Sequence, residues 1–253
     1  MSLLDWLFPF GRDTADEGRF TNLRPEAILK TVDRLEQRIS ERFPESGLLG
    51  VCKEFHQLSI RSEALARRLQ PPIWPVRLVA IAAVALLIGV VVWALGQLIK
   101  HFQFDASGVF HLLQTTESAI NELIFLGLAI FFLGNLEALI KRRSALQALH
   151  RLRSIAHVVD MHQLTKDPAF LLSKNKIANT ESSPQRTLTR HQLMRYLDYC
   201  SELLALNAKV AALFAQNTDD SVVLNSVNDL EVLVQGLSAK IWQKIMILDL
   251  SAE

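Results

Sequence analysis

The sequence predicts an all-α membrane protein: a two-span transmembrane helical hairpin with a cytoplasmic helical bundle built from N- and C-terminal segments. Three observations carry that expectation. Two apolar segments are each long enough to cross a bilayer, basic residues flank them on one side, and apolar residues elsewhere recur at three- and four-residue spacing. The 253 residues are 50% apolar, with 27 basic and 26 acidic groups and a net charge of +1. So apolar a chain is not a disordered polymer, and so balanced a charge is not that of a strongly basic nucleic-acid binder. With only Cys52 and Cys200 it is not a disulfide scaffold either.

Residues 1–24 form an apolar tail and linker, with Leu3, Leu4, Trp6, Leu7, Phe8 and Phe10 near the start. Such a tail fits the membrane interface, a partner, or the chain's own helical domain. No basic-hydrophobic-small triad and no lipidation box is visible, so neither a cleaved signal peptide nor a lipid anchor is expected. Residues 25–74 read as N-terminal cytoplasmic helices. Ile28, Val32, Leu35 and Ile39 recur at helical spacing behind Pro25, which suits a first helical position. Pro44, Ser46 and Gly47 break the pattern, and Leu48, Val51, Phe55, Leu58, Leu65 and Leu69 resume it, with an irregularity expected at Ser59.

The first span is placed at residues 76–98. Leu78 to Gly96 carries no charge, and at about 1.5 Å per residue that run measures roughly 28 Å, close to a bilayer's hydrocarbon thickness. Trp74 and Trp93 lie near its ends, where amphipathic rings favour the headgroup level, and Pro72 and Pro75 mark its entry. The second span, 119–140, has an apolar centre between polar ends that hold Asn121, Glu122, Asn135 and Glu137. If it is centred near Ile130, the two carboxylates sit about 12 and 10.5 Å from the midplane, where charge is tolerated, and Glu137 can pair with Lys141 at i,i+4. With the polar groups Glu122, Asn135 and Glu137 at the ends and nothing polar between Phe125 and Leu133, a constitutive channel is not expected.

Arg61, Arg67, Arg68 and Arg77 precede the first span and Lys141, Arg142, Arg143, Arg151 and Arg153 follow the second, while the expected external loop, 99–118, holds only Lys100 as a basic residue. Basic residues are retained on the cytoplasmic side, so both termini are expected in the cytoplasm and the protein in a bacterial inner membrane. The five basic residues from Lys141 to Arg153 are also candidate contacts for anionic lipid headgroups.

Beyond the second span, residues 141–172 predict a juxtamembrane helix ending near Leu164 and a short helix opened by Asp167 and Pro168. Residues 173–188 read as a loop. Residues 189–253 predict a helical hairpin: Thr189 and Gln192 form a capping-box pattern, and Leu193, Leu197, Cys200, Leu204, Asn207, Ala211 and Phe214 make a stripe. After a turn at Gln216–Asp220, Val223, Val227, Leu230, Val234, Leu237 and Ile241 make a second. Two helices cannot cover faces this wide, so a third partner is expected: the N-terminal helices, the juxtamembrane helix, or another subunit.

Few residues suggest chemistry. His157 and Asp160 share a helix face, which suits a structural pair, a pH sensor, or two ligands of a metal; His162 lies about 140° round the helix from His157, poorly placed to complete a site. No catalytic residues, metal or cofactor are expected, since no Walker, nucleophile-elbow, kinase or zinc motif is present. Ala82, Ala85, Gly89 and Gly96 form a small-residue face on the first span, expected to pack on the second span or on a copy of the first. Asn207 in a core position is expected to set the register of an oligomer. The cysteines are expected as reduced packing residues. The expected role is non-catalytic: anchoring, scaffolding or regulating a membrane-associated complex, through a protein partner or homo-oligomer and without nucleic acid. The alternatives are a signal-gated membrane-perturbing effector or oligomeric pore, and a membrane-surface enzyme using the His/Asp cluster.

Overall fold

The first helix begins where its sequence lets it. Arg24 holds extended backbone, Pro25 takes the first position, and α1 runs Pro25–Arg42 before Phe43 and Pro44 close it. The structure, a computed structural model, describes residues 22–101, 108–168, 171, 181–183, 187–216 and 218–250. The apolar tail and most of the 173–188 loop lie outside these residues, as does most of the short helix expected after Asp167. Every regular element among the described residues is an α-helix. After α1 come α2 (Gly47–Leu69), α3 (Trp74–His101), α4 (Gly108–Leu164), α5 (Arg190–Ala215) and α6 (Ser221–Leu250). The chain divides into two units, one comprising Pro71–Lys141 and the other residues 22–70 and 142–250.

In the second of these units α5 is the central element. The sequence stripe on α5 is buried, and so are Tyr196, Tyr199, Ser201, Leu203, Leu206, Val210 and Leu213, which lie outside that stripe. Burial this wide follows from the number of neighbours. α1 and α2 pack on α5, α6 runs back along it, and the 142–164 part of α4 adds Leu149, Leu152, Ala156 and Val159 to the same core. The hairpin's third partner is therefore both the N-terminal helices and the juxtamembrane helix. Phe43, at the α1–α2 corner, meets the rings of Tyr196 and Tyr199 edge-on at 5.5 and 6.2 Å. Arg38 of α1 makes a two-pronged contact with Glu202 of α5, and Arg190 at the start of α5 donates to the Asp249 carbonyl near the end of α6 at 3.0 Å, as an antiparallel pair requires.

Ser59 is not an irregularity. α2 is continuous through it, and its buried hydroxyl donates to the Phe55 carbonyl one turn back at 2.8 Å. The capping box at Thr189 is complete, with Gln192 N–H donating to Thr189 Oγ1 at 3.3 Å and Thr189 N–H to Gln192 Oε1 at 2.9 Å.

The other unit contains α3 and the first part of α4. Both helices are long and apolar enough to cross a membrane, and in each the most apolar stretch is only 6% buried. The connection between them is shorter than the expected 99–118 loop, because α3 reaches His101 and α4 starts at Gly108. No Gly or Pro from Val109 to Ile120 stops the helix, and polar side chains do not.

Candidate functional site

In the unit holding α3 and α4, the polar groups converge on Glu137. This carboxylate is 7% exposed, and three donors reach it: the Ile73 N–H at 3.0 Å, Arg77 Nε at 2.9 Å and Lys141 Nζ at 3.0 Å. Lys141 also donates to the Pro71 carbonyl at 2.9 Å. The local sequence explains the arrangement. Pro71 and Pro72 carry no N–H and hold the entry to α3 extended, Ile73 comes just before the helix so its N–H has no helical acceptor, and Arg77 lies one turn into α3. One carboxylate thus satisfies an orphan backbone donor and balances two cations, which is the condition for burying charge. The i,i+4 contact with Lys141 was legible from spacing; the contacts with Ile73 and Arg77, some sixty residues away, were not.

The same contacts set the rotation of α3. Its half-buried positions Val76, Val84, Leu87 and Val91 repeat at helical spacing together with buried Ala80. On α4 the half-buried Leu126, Ile130 and Leu133 lead to Glu137 in the same way. This corrects one of the two packings expected of Ala82, Ala85, Gly89 and Gly96, that on the second span, and does not bear on the other, that on a copy of the first. Ala82, Ala85 and Gly89 are exposed on the opposite side of α3, Gly96 is half-buried, and added Cβ atoms at Gly89 and Gly96 would meet nothing within 4 Å. The reason is that a helix apolar all round carries no moment to orient it, so the polar anchor at Arg77 decides. At the far polar end of this stretch, Glu122 is exposed, whereas Asn135 donates to the Phe131 carbonyl of its own helix at 2.7 Å.

The basic collar is not one lipid-facing group. Lys141 is committed to Glu137 and Pro71, and Arg142 Nε donates to Asp220 Oδ2 at 2.7 Å. That correction follows from two carboxylates, Glu137 one turn before Lys141 and Asp220 far along the chain from Arg142. Arg143, Arg151 and Arg153 are exposed. Asp220 does double work as the N-cap of α6, its Oδ1 accepting from the N–H groups of Val222 and Val223 at 3.0 and 3.2 Å. Burial raises the Asp220 pKa, but Arg142 and the two amides outweigh it and hold the carboxyl below the usual range.

The structure does not assemble the His157, Asp160 and His162 cluster. His157 is exposed, Asp160 accepts from Gln163 Nε2 at 2.6 Å, and the His162 ring rests on Gly47 at the start of α2. A Cβ added at Gly47 would collide with the His162 ring, so the imidazole lies close over the glycine and would have to swing aside for any larger residue. Among the described residues no three His, Cys, Asp or Glu side chains gather as a metal site needs. Asn207 is fully buried inside this chain's own bundle and donates to the Leu152 carbonyl of α4 at 2.8 Å. Cys52 and Cys200 are buried, and desolvation pushes both thiols up to about 12, which suits packing and not nucleophilic chemistry. Two further polar contacts had no signal in the sequence: His56 Nδ1 with Glu36 Oε2 at 2.7 Å, joining α1 to α2, and Lys244 of α6 donating to the Gln163 carbonyl at 2.9 Å. Burial lowers the Lys244 ammonium from its ordinary value.

Compared with protein-family models, curated proteins and solved structures, the chain matches none.

Proposed function

We propose that the protein is a non-catalytic integral membrane protein that anchors, scaffolds or regulates a membrane-associated complex through its helical bundle. The observation that carries this reading is the exposure of α3 and α4. Leu78, Val79, Leu86, Leu123, Phe125 and Phe132 are each at least 60% exposed, and each such side chain is worth about 1.5–3 kcal/mol when removed from water. An apolar surface of this extent is far larger than a soluble monomer keeps, and lipid is the solvent that suits it. The distribution of Arg and Lys around the two helices supports a bacterial inner-membrane protein with both termini cytoplasmic. Arg143, Arg151 and Arg153 then lie free to meet anionic headgroups. For a protein partner or a second copy, α6 offers Trp242, Met246 and Leu250, exposed one turn apart along one face.

Reporter fusions at both termini and between residues 102 and 107 test the topology. Cytoplasmic signals from both ends and an external signal from the connection are expected; an external terminus would refute the orientation. Purification in mild detergent, with the mass of the complex measured and co-purifying proteins identified, tests the role. A monomer without partners would overturn it.

A further inference from the structure

The last three turns of α6 leave an apolar face open. Trp242, Met246, Ile247 and Leu250 are 52%, 59%, 47% and 73% exposed, on the sides turned away from the buried stripe that ends in Leu237, Ile241 and Leu248. From Ile245 to Leu248 the helix carries no charge, so the centre of this face is bare of it. The face continues onto α4. Lys244 donates to the Gln163 carbonyl at 2.9 Å, so Ile247, three residues past Lys244, and Leu164, next to Gln163 and 62% exposed, flank the same contact.

Its size is that of half an interface. Large side chains bury roughly 150–250 Å² each when fully covered, so five that are about half to three-quarters exposed present on the order of 500–600 Å². That is the upper end of what a monomer leaves uncovered in one patch. A stable complex of standard size covers about 800 Å² on each partner, of which about 450–520 Å² is apolar. The one patch on α6 and α4 therefore supplies the whole apolar content of one side of a dimer.

The occupant follows from what is always beside this face. Chains held in one bilayer by α3 and α4, all in the same orientation, bring the same face to the same height, at a local concentration that a partner arriving from solution does not reach. A face without central charge also suits its own copy, because a two-fold axis sets each residue against residues of the same patch and here brings no like charges together at the centre. We propose that this face is the self-association surface, a second copy of the chain packing α6 on α6 about a two-fold axis near Met246. The inference deepens the scaffold reading and rests on it, since the shared membrane is what concentrates the copies.

Light scattering of the full chain in mild detergent at about 10 μM tests the proposal, with a protein mass twice that of one chain expected. Trp242→Glu combined with Met246→Glu should weaken the dimer at least about 100-fold, because each substitution acts twice across the axis. Its melting temperature should not change, since both side chains are exposed. A short bis-maleimide should join two copies through Met246→Cys and not through Lys30→Cys, an exposed position on α1. A dimer that persists in the double variant, or cross-linking equal at the two positions, overturns the proposal. So does a monomeric wild type; if other proteins co-purify with that monomer, the scaffold role stands and only the second copy is excluded. An external terminus in the reporter fusions would instead strike the orientation, while the masses still decide what this face binds.

Discussion

Glu137→Ala should separate α3 from α4. The substitution leaves the Arg77 and Lys141 charges and the Ile73 N–H without their shared acceptor at a site where Glu137 is 7% exposed and the Arg77 side chain 15% exposed. Removing one member of a buried charge pair costs about 3–5 kcal/mol, most of it the penalty of the stranded partner. Glu137→Gln keeps an acceptor for the Ile73 N–H but loses the charge, so about 1.5–3 kcal/mol is expected. Lys141→Met should cost less, about 1 kcal/mol, because Lys141 is 25% exposed and pairs within its own helix. The assay is an SDS titration of the detergent-solubilised chain, followed by energy transfer between dyes on cysteines introduced at Leu78 and Ile140. Native Cys52 and Cys200 are buried and resist labelling. A double-mutant cycle with Arg77→Met should show coupling of about 2 kcal/mol or more. If Glu137→Ala and Arg77→Met each cost under about 1 kcal/mol, or their effects add without coupling, the anchoring role assigned to Glu137 is wrong.

The remaining predictions concern the bundle. Asp220→Ala loses both the cap of α6 and the pair with Arg142, which is 38% exposed, for a total of about 1–2 kcal/mol, whereas Asp220→Asn keeps the cap and loses only the pair. Because the folded Asp220 pKa is depressed, its contribution is present above the unfolded value of about 3.9 and is lost as pH falls through the lower folded value. Thermal melts of Asp220→Asn should therefore lose part of the wild-type decline in that acid window; identical pH profiles would refute this. Asn207→Ala should cost about 1–2 kcal/mol, limited because Oδ1 is already unpartnered, and should leave the mass of the detergent-solubilised particle unchanged; a change in mass would restore Asn207 to an intermolecular role. Cys52 and Cys200 should react with a thiol reagent at pH 8 only after denaturant is added, and rapid labelling of either in the native chain would contradict its burial.

What the sequence disclosed depended on whether neighbours were local. Ile28, Val32, Leu35 and Ile39 are all buried, as period alone requires, and the stripe on α6 behaves likewise. The capping box at Thr189 was legible because its two members are three residues apart. On α5 the stripe understated the burial, since a helix surrounded by others hides residues that a two-helix picture leaves in water. Polar partners were the least legible. Arg77 and Arg142 looked alike as positive charges, and only the fold assigns one to Glu137 and the other to Asp220. For His157 and Asp160, sharing a face proved weaker than the competition from Gln163, one turn away. The contact of the His162 ring with Gly47 was invisible because the two come from separate stretches of chain.

The central place of α5 also fixes an order of events. α1 and α2 leave the ribosome about 120 residues before α5, from Leu69 to Arg190, and at about 5–20 residues per second that interval lasts roughly 10 s. In that time Phe43 has no Tyr196 or Tyr199 to cover it, while α3 and the apolar start of α4 are made. The helices made first therefore wait for α5 before their shared core can close, and the chain's most apolar segments are synthesised in that interval.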